Sequence, residues 1–520
     1  MDWTDGYVQG IDYTHGYYPE LAPGLLALAC ASRGVSTRLE HPSPRYLELG
    51  FGQGVSISIH AAACGGEFWG NDFNPAHVAN ARELNAVSGS DAHLSDDSFK
   101  SLVAREDLPE FDAITLHGVW SWISAGNRRT ILDLVRRRLA PGGVFYLSYN
   151  CLPGWTAERP LRHLMALHAE LAGTATQGPA VRINAARIDA ARTFAQSLHE
   201  CGAKYFDAHA SLKRRMESLP GDSHAYLAHE YFNRDWQPMD FSEVAGALAQ
   251  AKLDFVATAM LDEHSDDLGL PDEACQLLSG IAHPVMRETA RDYIVNRKLR
   301  RDVFVKGARS LSAAARAERL GSTPFALLVH PGQVPEKVTI AGYEVELSKA
   351  IYHPLLKALA ADGYAPKTLQ ALGERPEFRR ITTAQLQQAA MLLTGIGSAH
   401  PVQARAAQEA AAPRCKALNA RILEHAAENR EVCALASPVI GAGVFVSRED
   451  MLFLRAINQG VTTPQAWAQL TWECLLKNDE RVVVGGRTIE SAEDNLAYLV
   501  AEANALARLR LPVMQALGIA

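Results

Sequence analysis

The sequence has little of what disulfide-stapled, membrane-spanning or nucleic-acid-binding proteins depend on. Its eight cysteines are scattered over 520 residues without a C-x-x-C pair, which argues against a zinc site and favours reduced thiols in a cytoplasmic protein. No apolar run approaches the roughly 20 residues of a membrane span, and the N-terminus lacks the basic and apolar segments of a signal peptide. Acidic residues outnumber basic ones, 58 against 51, so no general affinity for nucleic acid is expected.

One stretch, residues 45–72, has the pattern of a nucleotide site. An apolar strand, Tyr46–Leu49, is followed by a glycine-rich turn, by a helix of small residues at Val55–Ala63 and by a second strand at Phe68–Asn71. Asp72 closes the second strand. Glycines let the backbone pass close to a ligand, and an acid at this place can accept hydrogen bonds from both ribose hydroxyls.

The order of residues in the turn indicates which nucleotide is bound. The turn reads Glu48-x-Gly50-x-Gly52-x-Gly54, with an acid ahead of three alternating glycines, whereas NAD folds use G-x-G-x-x-G. This pattern resembles motif I of class I S-adenosylmethionine methyltransferases, in which the acid holds the methionine end of the cofactor. A dinucleotide site and a sheet without a ligand are the alternatives.

Polar and aromatic residues also follow the later strands of the predicted sheet. Strand Phe111–Leu116 runs into His117-Gly118-Val119-Trp120-Ser121-Trp122, and strand Val144–Ser148 runs into Tyr149 and Asn150. In such sheets, ligands bind in the crevice outside the carboxyl ends of the strands. A weaker candidate is the turn Ser95–Phe99, where an acid could accept a hydrogen bond from an adenine amino group; the alternative is a solvated turn or helix cap.

These stretches together resemble a known family. H-G-V-W-S-W at 117–122 and S-Y-N-x-x-P-G-W at 148–155 are similar to the bacterial class I methyltransferases that carry a methyltransferase regulatory domain. That family includes the protein lysine methyltransferases of rickettsial outer-membrane proteins. The matches are dense over residues 10–310. The resemblance implies S-adenosylmethionine as cofactor, S-adenosylhomocysteine as product and a protein substrate with lysine as the favoured acceptor.

The candidate site residues fall into three groups. Those expected around the acceptor are His117, Trp120, Tyr149 and Asn150. Those expected to bind the cofactor are Glu48, Gly50, Gly52, Gln53, Gly54, Asp72, Phe73, Asp97, Ser98, Phe99, His117 and Gly118. Those expected at a lid or substrate surface are Tyr13, Tyr17, Tyr18, Trp122 and Trp155. No residue is an unambiguous general base: His117 is a candidate, and removal of the proton by solvent is the alternative. No metal site is expected.

The expected fold class is α/β, with a Rossmann-like class I methyltransferase sheet, a helical insertion, and a mainly α C-terminal region containing a winged-helix-like domain. Strands Leu253–Thr258 and Asp302–Lys306 are predicted to return to the sheet as its antiparallel sixth and seventh members. The predicted divisions are an N-terminal lid or covering helix at 1–44, the cofactor core at 45–155, the helical insertion at 156–250, closing strands with a regulatory segment at 251–310, a winged-helix-like domain at 321–400 and a helical domain at 401–520.

The C-terminal region is expected to contact protein. Its candidate recognition helix, Thr382–Thr394, has no Lys or Arg to contact phosphates, and offers Leu386 and Met391 instead. A chain lacking 321–520 is predicted to keep cofactor binding. Two other functions stay open, a small-molecule methyltransferase and a non-catalytic cofactor-binding regulatory protein, as does a homodimer.

Overall fold

The computed structural model describes residues 14–171 and 183–520. In this part of the chain a seven-stranded sheet, numbered β1 to β7 in chain order, forms the centre of the molecule. The strands are β1 Arg45–Leu49, β2 Glu67–Asn71, β3 His93–Ser95, β4 Phe111–Leu116, β5 Leu139–Asn150, β6 Leu253–Thr258 and β7 Leu299–Lys306. Their spatial order is β3-β2-β1-β4-β5-β7-β6. The first five run parallel, and β7 is antiparallel to both β5 and β6.

The return of the last two strands to the sheet confirms the predicted α/β class. Leu147 of β5 lies opposite Asp302 of β7, and Val303 lies opposite Ala257 of β6. β4 is buried along its whole length, as expected of an apolar strand covered on both faces. The chain between β1 and β4 folds as the short strand and helix pattern predicts, with helices Val55–Ala63 and Pro75–Ser88.

Helices cover the two faces of the sheet. One face carries Val55–Ala63 and Pro75–Ser88, whose Ile57 and Val78 pack with Val144 and Tyr146 of β5. The opposite face packs on Phe145 and Leu147 of the same strand. Its helices are Phe99–Ala104, Ala125–Arg138 and Phe241–Ala249. Neighbouring residues of β5 therefore belong to different cores, because side chains alternate along a strand.

A helical insertion leaves the sheet after β5 and returns before β6. Its own apolar core includes Leu161, Ile188 and Leu227. Its helices are Arg159–Leu171, Ala185–Glu200, Ala210–Ser218 and His224–Tyr231. The returning chain is hydrogen-bonded to the carboxyl edge of the sheet, since the N–H of Met239 donates to the carbonyl of Asn150 at 3.0 Å. The insertion thus adjoins the edge where ligands are expected, while the predicted domain boundaries stay a prediction.

The chain from β6 to β7 and the region after it are mainly helical. The connection between the strands contains helices Asp266–Gly269, Asp272–Ser279 and Pro284–Val295. Before the sheet, the chain forms helix Pro23–Ser32. After β7, the helices are Ala313–Ser322, Lys349–Tyr364, Leu369–Gly373, Thr383–Gly395, Arg405–Ala426, Arg448–Asn458, Pro464–Lys477, Ala492–Ala505 and Leu511–Ala516. Within residues 14–171 and 183–520, no helix is both long enough and apolar enough to cross a bilayer.

The small sheets of this region leave the winged-helix expectation unresolved. Pro324–Leu327 is the middle strand of a three-stranded antiparallel sheet, between Lys367–Thr368 and Ala399–Pro401. The hairpin of Lys337–Ile340 and Tyr343–Glu346 forms a separate two-stranded sheet. The winged-helix class of residues 321–400 therefore stays a prediction. The remaining two-stranded sheets pair Val35–Ser36 with Arg309–Ser310, Ala434–Ser437 with Ala442–Phe445, and Val483–Val484 with Arg487–Thr488.

Helix Thr383–Gly395 packs against the connection between β6 and β7. Its Leu386 and Met391 are buried, and the amide of Gln388 donates to both carboxylate oxygens of Asp267 at 3.1 and 3.2 Å. The prediction that Leu386 and Met391 are offered to a partner protein is wrong, because the helix uses this apolar face to pack within the chain.

The long helix Arg405–Ala426 joins the C-terminal region to the other end of the sheet. It packs on Val55–Ala63, and their side chains belong to one apolar core. The guanidinium of Arg414 donates to the carbonyl of Ala62 at 3.1 Å, and the amide of Gln403 donates to the carbonyl of Ala63 at 2.8 Å. The C-terminal region therefore supports the helix that follows the glycine-rich turn.

Candidate functional site

The glycine-rich turn after β1 is shaped for the close approach of a ligand. Gly50, Gly52 and Gly54 have φ values of 67°, 59° and 78°, a conformation that side chains with a Cβ rarely adopt. A Cβ on Gly54 would lie 2.3 Å from the Cβ of Ala81, so this glycine allows the two covering helices to meet. The turn leads into the N-terminus of helix Val55–Ala63, where backbone N–H groups face outward. Such a turn suits polar ligand atoms.

Glu48, the last but one residue of β1, is the strongest mark of a ligand site. Its side chain is 3% exposed, and among the described residues its Oε2 atom has no hydrogen-bond partner. Burial raises the pKa of Glu48 to about 8, with a smaller contribution from the charge of Asp72. A buried polar atom without a partner is costly. A cationic group of a ligand at this place would complete its hydrogen bonding.

Asp72, at the end of β2, holds the turn in place. Its Oδ2 accepts a hydrogen bond from the N–H of Gly52 at 2.8 Å, and its Oδ1 accepts one from the N–H of Asn74 at 2.9 Å. His77 Nδ1 lies 3.1 Å from the same Oδ1. Sequence analysis missed His77, although D-x-x-x-x-H across a helix start was a signal for it. Asp72 thus braces Gly52 in the glycine-rich turn, and its contact with a ligand stays a prediction.

Replacing Asp72 by Asn is expected to weaken cofactor binding by about 1.5–3 kcal/mol. The amide has one acceptor oxygen, so the N–H of Gly52 or of Asn74 would face an NH₂ group. Calorimetry with the cofactor measures the loss. Asp133→Asn is the matched control: this carboxylate is not a candidate site residue, is partly exposed and is paired with Arg136, so the loss should stay below about 1 kcal/mol. Equal losses in the two variants would contradict the prediction.

The turn after β3 shows hydrogen bonds typical of a helix start. Asp97 Oδ2 accepts from Arg105 at 3.2 Å, and Ser98 Oγ caps the next helix by accepting from the N–H of Ser101 at 3.1 Å. Phe99 packs against the core on that face of the sheet. Phe73 is half-buried. The cofactor contacts of Asp97, Ser98, Phe99 and Phe73 therefore stay predictions, as does that of Gln53, which is half-buried and whose carbonyl accepts from Asn80 at 2.7 Å.

His117, directly after β4, lies in the middle of the carboxyl edge. Its ring stacks on Tyr18, with centroids 4.0 Å apart, and its Nδ1 lies 2.9 Å from the hydroxyl of Tyr146. Burial lowers the pKa of His117 to about 4, so the imidazole is neutral at physiological pH. The next residue, Gly118, donates its N–H to Ser148 Oγ at 2.7 Å. The structure thus brings Tyr18, predicted for the lid, into contact with His117, predicted for the acceptor and cofactor site.

Tyr17 points elsewhere. It is buried, and its hydroxyl accepts a hydrogen bond from the N–H of Gly443 at 2.7 Å. Its ring meets those of His60 and Phe445 edge-on. This placement joins Tyr17 to the C-terminal region, and it does not favour the predicted lid role. Tyr13 lies outside the described residues.

The predicted acceptor residues after β4 and β5 have different surroundings. Trp120 and Asn150 are buried, and among the described residues the Nε1 of Trp120 and the Nδ2 of Asn150 have no hydrogen-bond partner. Both are available to a ligand oxygen. Tyr149 is 1% exposed, and its hydroxyl donates to Asp302 at 2.9 Å on the opposite face of β5. Direct contact of Tyr149 with an acceptor is not favoured by this geometry.

An aromatic cluster joins the insertion to the same edge. Trp122 and Trp155 both meet Trp236, with ring centroids 6.1 and 5.2 Å apart. The guanidinium of Arg162 lies 4.5 Å from the Trp236 ring, and Lys298 Nζ lies 5.4 Å from the Trp155 ring. Cations already occupy ring faces of this cluster, so a structural role is well supported.

Sequence analysis missed a charged cavity of about 260 Å³ beside β6 and β7. Its charged lining is formed by Arg291, Arg297, Arg300, Arg301, Glu263, Glu288 and Asp302. The guanidinium of Arg300 is paired with Asp302 at 2.8 Å and with Glu288 at 3.1 Å. Among the described residues, Asp302 Oδ1 has no partner. The signal in the sequence was a run of charges, Arg300-Arg301-Asp302, within an otherwise apolar strand.

Comparisons with known proteins show a similarity to methyltransferases. A family model described as "Methyltransferase domain" matches residues 47–145, and one described as "Predicted methyltransferase regulatory domain" matches residues 223–306. A protein of Synechocystis sp., Uncharacterized protein sll1526, is 35% identical over 521 residues and covers the whole of both chains. Uncharacterized protein RP789 of Rickettsia prowazekii is 26% identical over 272 residues, which are 50% of this chain and 46% of that one.

The fold is shared with solved structures over almost the whole chain. The structure of PKMT2 from Rickettsia typhi superposes with a TM-score of 0.66 at 16% identity, covering 98% of this chain and 99% of that one. Its complex with AdoHcy superposes with the same TM-score over 97% and 99% of the two chains. At 16% identity, this superposition establishes a shared fold. It extends beyond the sheet to the insertion and the C-terminal region.

Proposed function

This chain belongs to the class I S-adenosylmethionine-dependent methyltransferases that carry a methyltransferase regulatory domain, and we propose that it methylates a protein, with a lysine side chain as the favoured acceptor. The cofactor is S-adenosylmethionine, which when bound supplies the methyl group for in-line transfer and leaves as S-adenosylhomocysteine. The proposal concerns the acceptor, and the observations below support a protein lysine in that role.

The residues around the glycine-rich turn fit this cofactor. The unpartnered Oε2 of Glu48 suits the ammonium of the amino-acid end, and the turn from Gly50 to Gly54 suits close backbone contact. Asp72, 5% exposed, would take the ribose hydroxyls while it holds Gly52. The resemblance implies this role for Glu48, and the place of an acid at the end of the second strand predicts the role of Asp72.

The observation that carries the preference for lysine is the unpartnered carboxylate oxygen of Asp302. It lines the charged cavity, and among the described residues nothing donates to its Oδ1. Leu299, which lines the same cavity, pairs in register with Asn150, so the cavity adjoins the predicted acceptor residues. Arg297 is paired with Glu263 at 2.6 Å and Arg301 with Glu20 at 2.9 Å, but the Nε atom of Arg297 has no hydrogen-bond partner among the described residues. An acceptor amine can place an N–H at the Oδ1 atom of Asp302, although the four arginines of the lining outnumber its three carboxylates.

The nearly full-length fold likeness to PKMT2, a protein lysine methyltransferase, also supports a protein acceptor over a small molecule. The roles of His117, Trp120 and Asn150 at the acceptor stay predictions, as do the absence of nucleic-acid binding and a homodimer. Trp120 and Asn150 each offer a buried N–H group without a partner among the described residues, which could orient an acceptor's carbonyl oxygen.

Transfer of a tritiated methyl group from the cofactor into a cell lysate tests the proposal. We expect label in the protein fraction, and mass spectrometry of the labelled protein should locate the methyl group on lysine. Glu48→Gln is the control, since label that depends on this enzyme should fall with its cofactor affinity. Label confined to the small-molecule fraction would overturn the protein acceptor, and label on another side chain would overturn lysine.

A further inference from the structure

We infer that Tyr146 and Ser148 hold His117 as the neutral tautomer that carries its proton on Nε2, so that His117 donates a hydrogen bond to a ligand oxygen and is not the general base. The identity of the ligand rests on the proposed function. The tautomer is a property of the chain itself and can be tested without any methyl transfer.

The first step is the hydroxyl of Tyr146. It lies 2.9 Å from His117 Nδ1, and the two rings are within 7° of parallel. Tyr146 is fully buried, so its O–H must donate to a protein group. Its oxygen is within hydrogen-bond distance of His117 Nδ1, and Ser148 is the other side chain that interacts with it as a donor.

Ser148 indicates the direction in which the Tyr146 hydroxyl donates. Ser148 Oγ accepts the N–H of Gly118 at 2.7 Å, so it still has its own O–H to place. Ser148 is also buried; burial raises the pKa of Tyr146, and Ser148 acts against this shift as a hydrogen-bond donor to the tyrosine oxygen would. If Tyr146 donated to Ser148, the serine O–H would be left unpaired in the core, at a cost of about 1–3 kcal/mol.

Every hydroxyl and N–H group from Gly118 to Tyr146 finds an acceptor only if the donors point toward His117. Gly118 N–H donates to Ser148, Ser148 O–H donates to Tyr146, and Tyr146 O–H donates to His117 Nδ1. The proton of the neutral imidazole is then on Nε2. No described residue accepts from Nε2, and part of the His117 side chain stays accessible at the edge of the sheet.

The charged groups around His117 do not reverse this assignment. Glu20 Oε1 is 3.8 Å from Nδ1 and by itself would draw the proton there. Arg301, however, is paired with Glu20 at 2.9 Å and offsets its charge. Tyr18 covers a face of the imidazole and carries no charge, and burial lowers the pKa of His117 to about 4.

The ligand group that an Nε2–H can bind is a carboxylate or carbonyl oxygen. Two sources share this chemistry, the carboxylate of the cofactor's amino-acid end and a carbonyl of the acceptor. With its Nε2 lone pair unavailable, His117 cannot remove a proton from an acceptor ammonium. That proton leaves to solvent.

Nitrogen NMR of the full chain labelled with ¹⁵N-histidine tests the tautomer directly. We expect His117, assigned by its loss in His117→Gln, to show a bare Nδ1 and a protonated Nε2. Tyr146→Phe should remove this preference. Tyr46→Phe is the matched control, because Tyr46 is an equally buried tyrosine whose hydroxyl bonds Leu21 and Thr115 instead. A protonated Nδ1 in the unaltered chain would overturn the inference.

Two substitutions of His117 test its role. Glutamine places an N–H near the position of Nε2, whereas leucine has none. If His117 acts as a donor, His117→Leu should weaken binding of the cofactor or of the acceptor roughly tenfold to a hundredfold, and His117→Gln should recover most of that loss. A general base predicts that both variants lose roughly 10²–10⁴-fold in turnover, and equal losses would overturn the inference.

The assay in which His117→Leu is impaired shows which ligand carries the oxygen that His117 binds. A fall in cofactor affinity by calorimetry, restored by Gln, assigns it to the cofactor. A raised acceptor KM with unchanged cofactor affinity assigns it to the acceptor. No effect in either assay would overturn the inference. Failure to find a protein acceptor would overturn the proposed function and leave the NMR and calorimetric results standing.

Discussion

A chain that ends at residue 320 is expected to lose the folded methyltransferase sheet, and with it cofactor binding. Helix Val55–Ala63 follows the glycine-rich turn, and its outer side is covered by Arg405–Ala426. Tyr17 and Cys64 are hydrogen-bonded to Gly443 and Gly441 in the same region. The sequence predicted the opposite result, because the strands and loops of the sheet are complete before residue 321.

The size of the effect follows from the apolar surface that truncation would expose. Val55, Ile59 and Leu84 are buried in one core with Leu418 and Ile422. Burial of each such side chain contributes about 1.5–3 kcal/mol, so these three alone account for roughly 5–9 kcal/mol. Domains of ordinary stability have about 5–15 kcal/mol in total. The truncated chain should therefore be unfolded or nearly so.

Circular dichroism during heating and calorimetry with the cofactor measure this outcome. Supplying residues 321–520 as a separate polypeptide is the control, since restored binding would show that loss of the interface was the cause. A truncated chain with the melting temperature and cofactor affinity of the full protein would contradict the prediction.

Glu48→Gln is expected to weaken cofactor binding by about 3–5 kcal/mol above pH 8, or roughly a hundredfold to a few thousandfold. The substitution keeps the size of the side chain and removes its charge. The buried ammonium of the cofactor would then face an amide in place of a carboxylate. Asp112→Asn is the matched control, because Asp112 is also buried but lies at the amino end of β4, paired with Arg38.

The same substitution should remove a pH dependence. Burial raises the pKa of Glu48 to about 8 from an ordinary value of 4.5, so the free protein holds a proton there at neutral pH. An ammonium favours the ionised form, so below pH 8 binding must release this proton. Cofactor affinity should rise with pH up to about 8 and then level off. Calorimetry across this range should show no such slope for Glu48→Gln.

Stability of the cofactor-free protein should change in the opposite sense. The raised pKa stabilises the folded state fully below pH 4.5, and this contribution is lost as pH rises through about 8. As pH rises from 4.5 to about 8, the melting temperature of the unaltered chain should therefore fall relative to that of Glu48→Gln. A constant difference across the range would show that Glu48 titrates normally, and would contradict the assignment.

The sequence alone was sufficient for the parts that depend on local patterns. Helix Val55–Ala63 and strands Phe111–Leu116 and Leu253–Thr258 were predicted with the bounds that the structure shows. Periodicity of apolar residues and the positive φ of glycines such as Gly54 are properties of short segments, which is why they can be read along the chain. The acid ahead of the glycines was likewise visible without a fold.

Only the tertiary structure decided how these residues are surrounded. Tyr149 and Asn150 are neighbours in sequence, yet β5 turns Tyr149 toward Asp302 and leaves the Nδ2 atom of Asn150 buried without a hydrogen-bond partner among the described residues. Tyr146 was not distinguishable from other core tyrosines until β5 placed it beside His117.

The C-terminal region shows the same limit over a longer distance. Gly443 donates to Tyr17 across 426 residues of sequence, and Arg414 reaches Ala62 across 352. Burial, pKa and hydrogen-bond direction depend on which atoms meet, and for distant segments that depends on how helices dock on the sheet. The sequence by itself determined the cofactor and the sheet, whereas docking decided that the region after residue 320 is part of the cofactor domain's core.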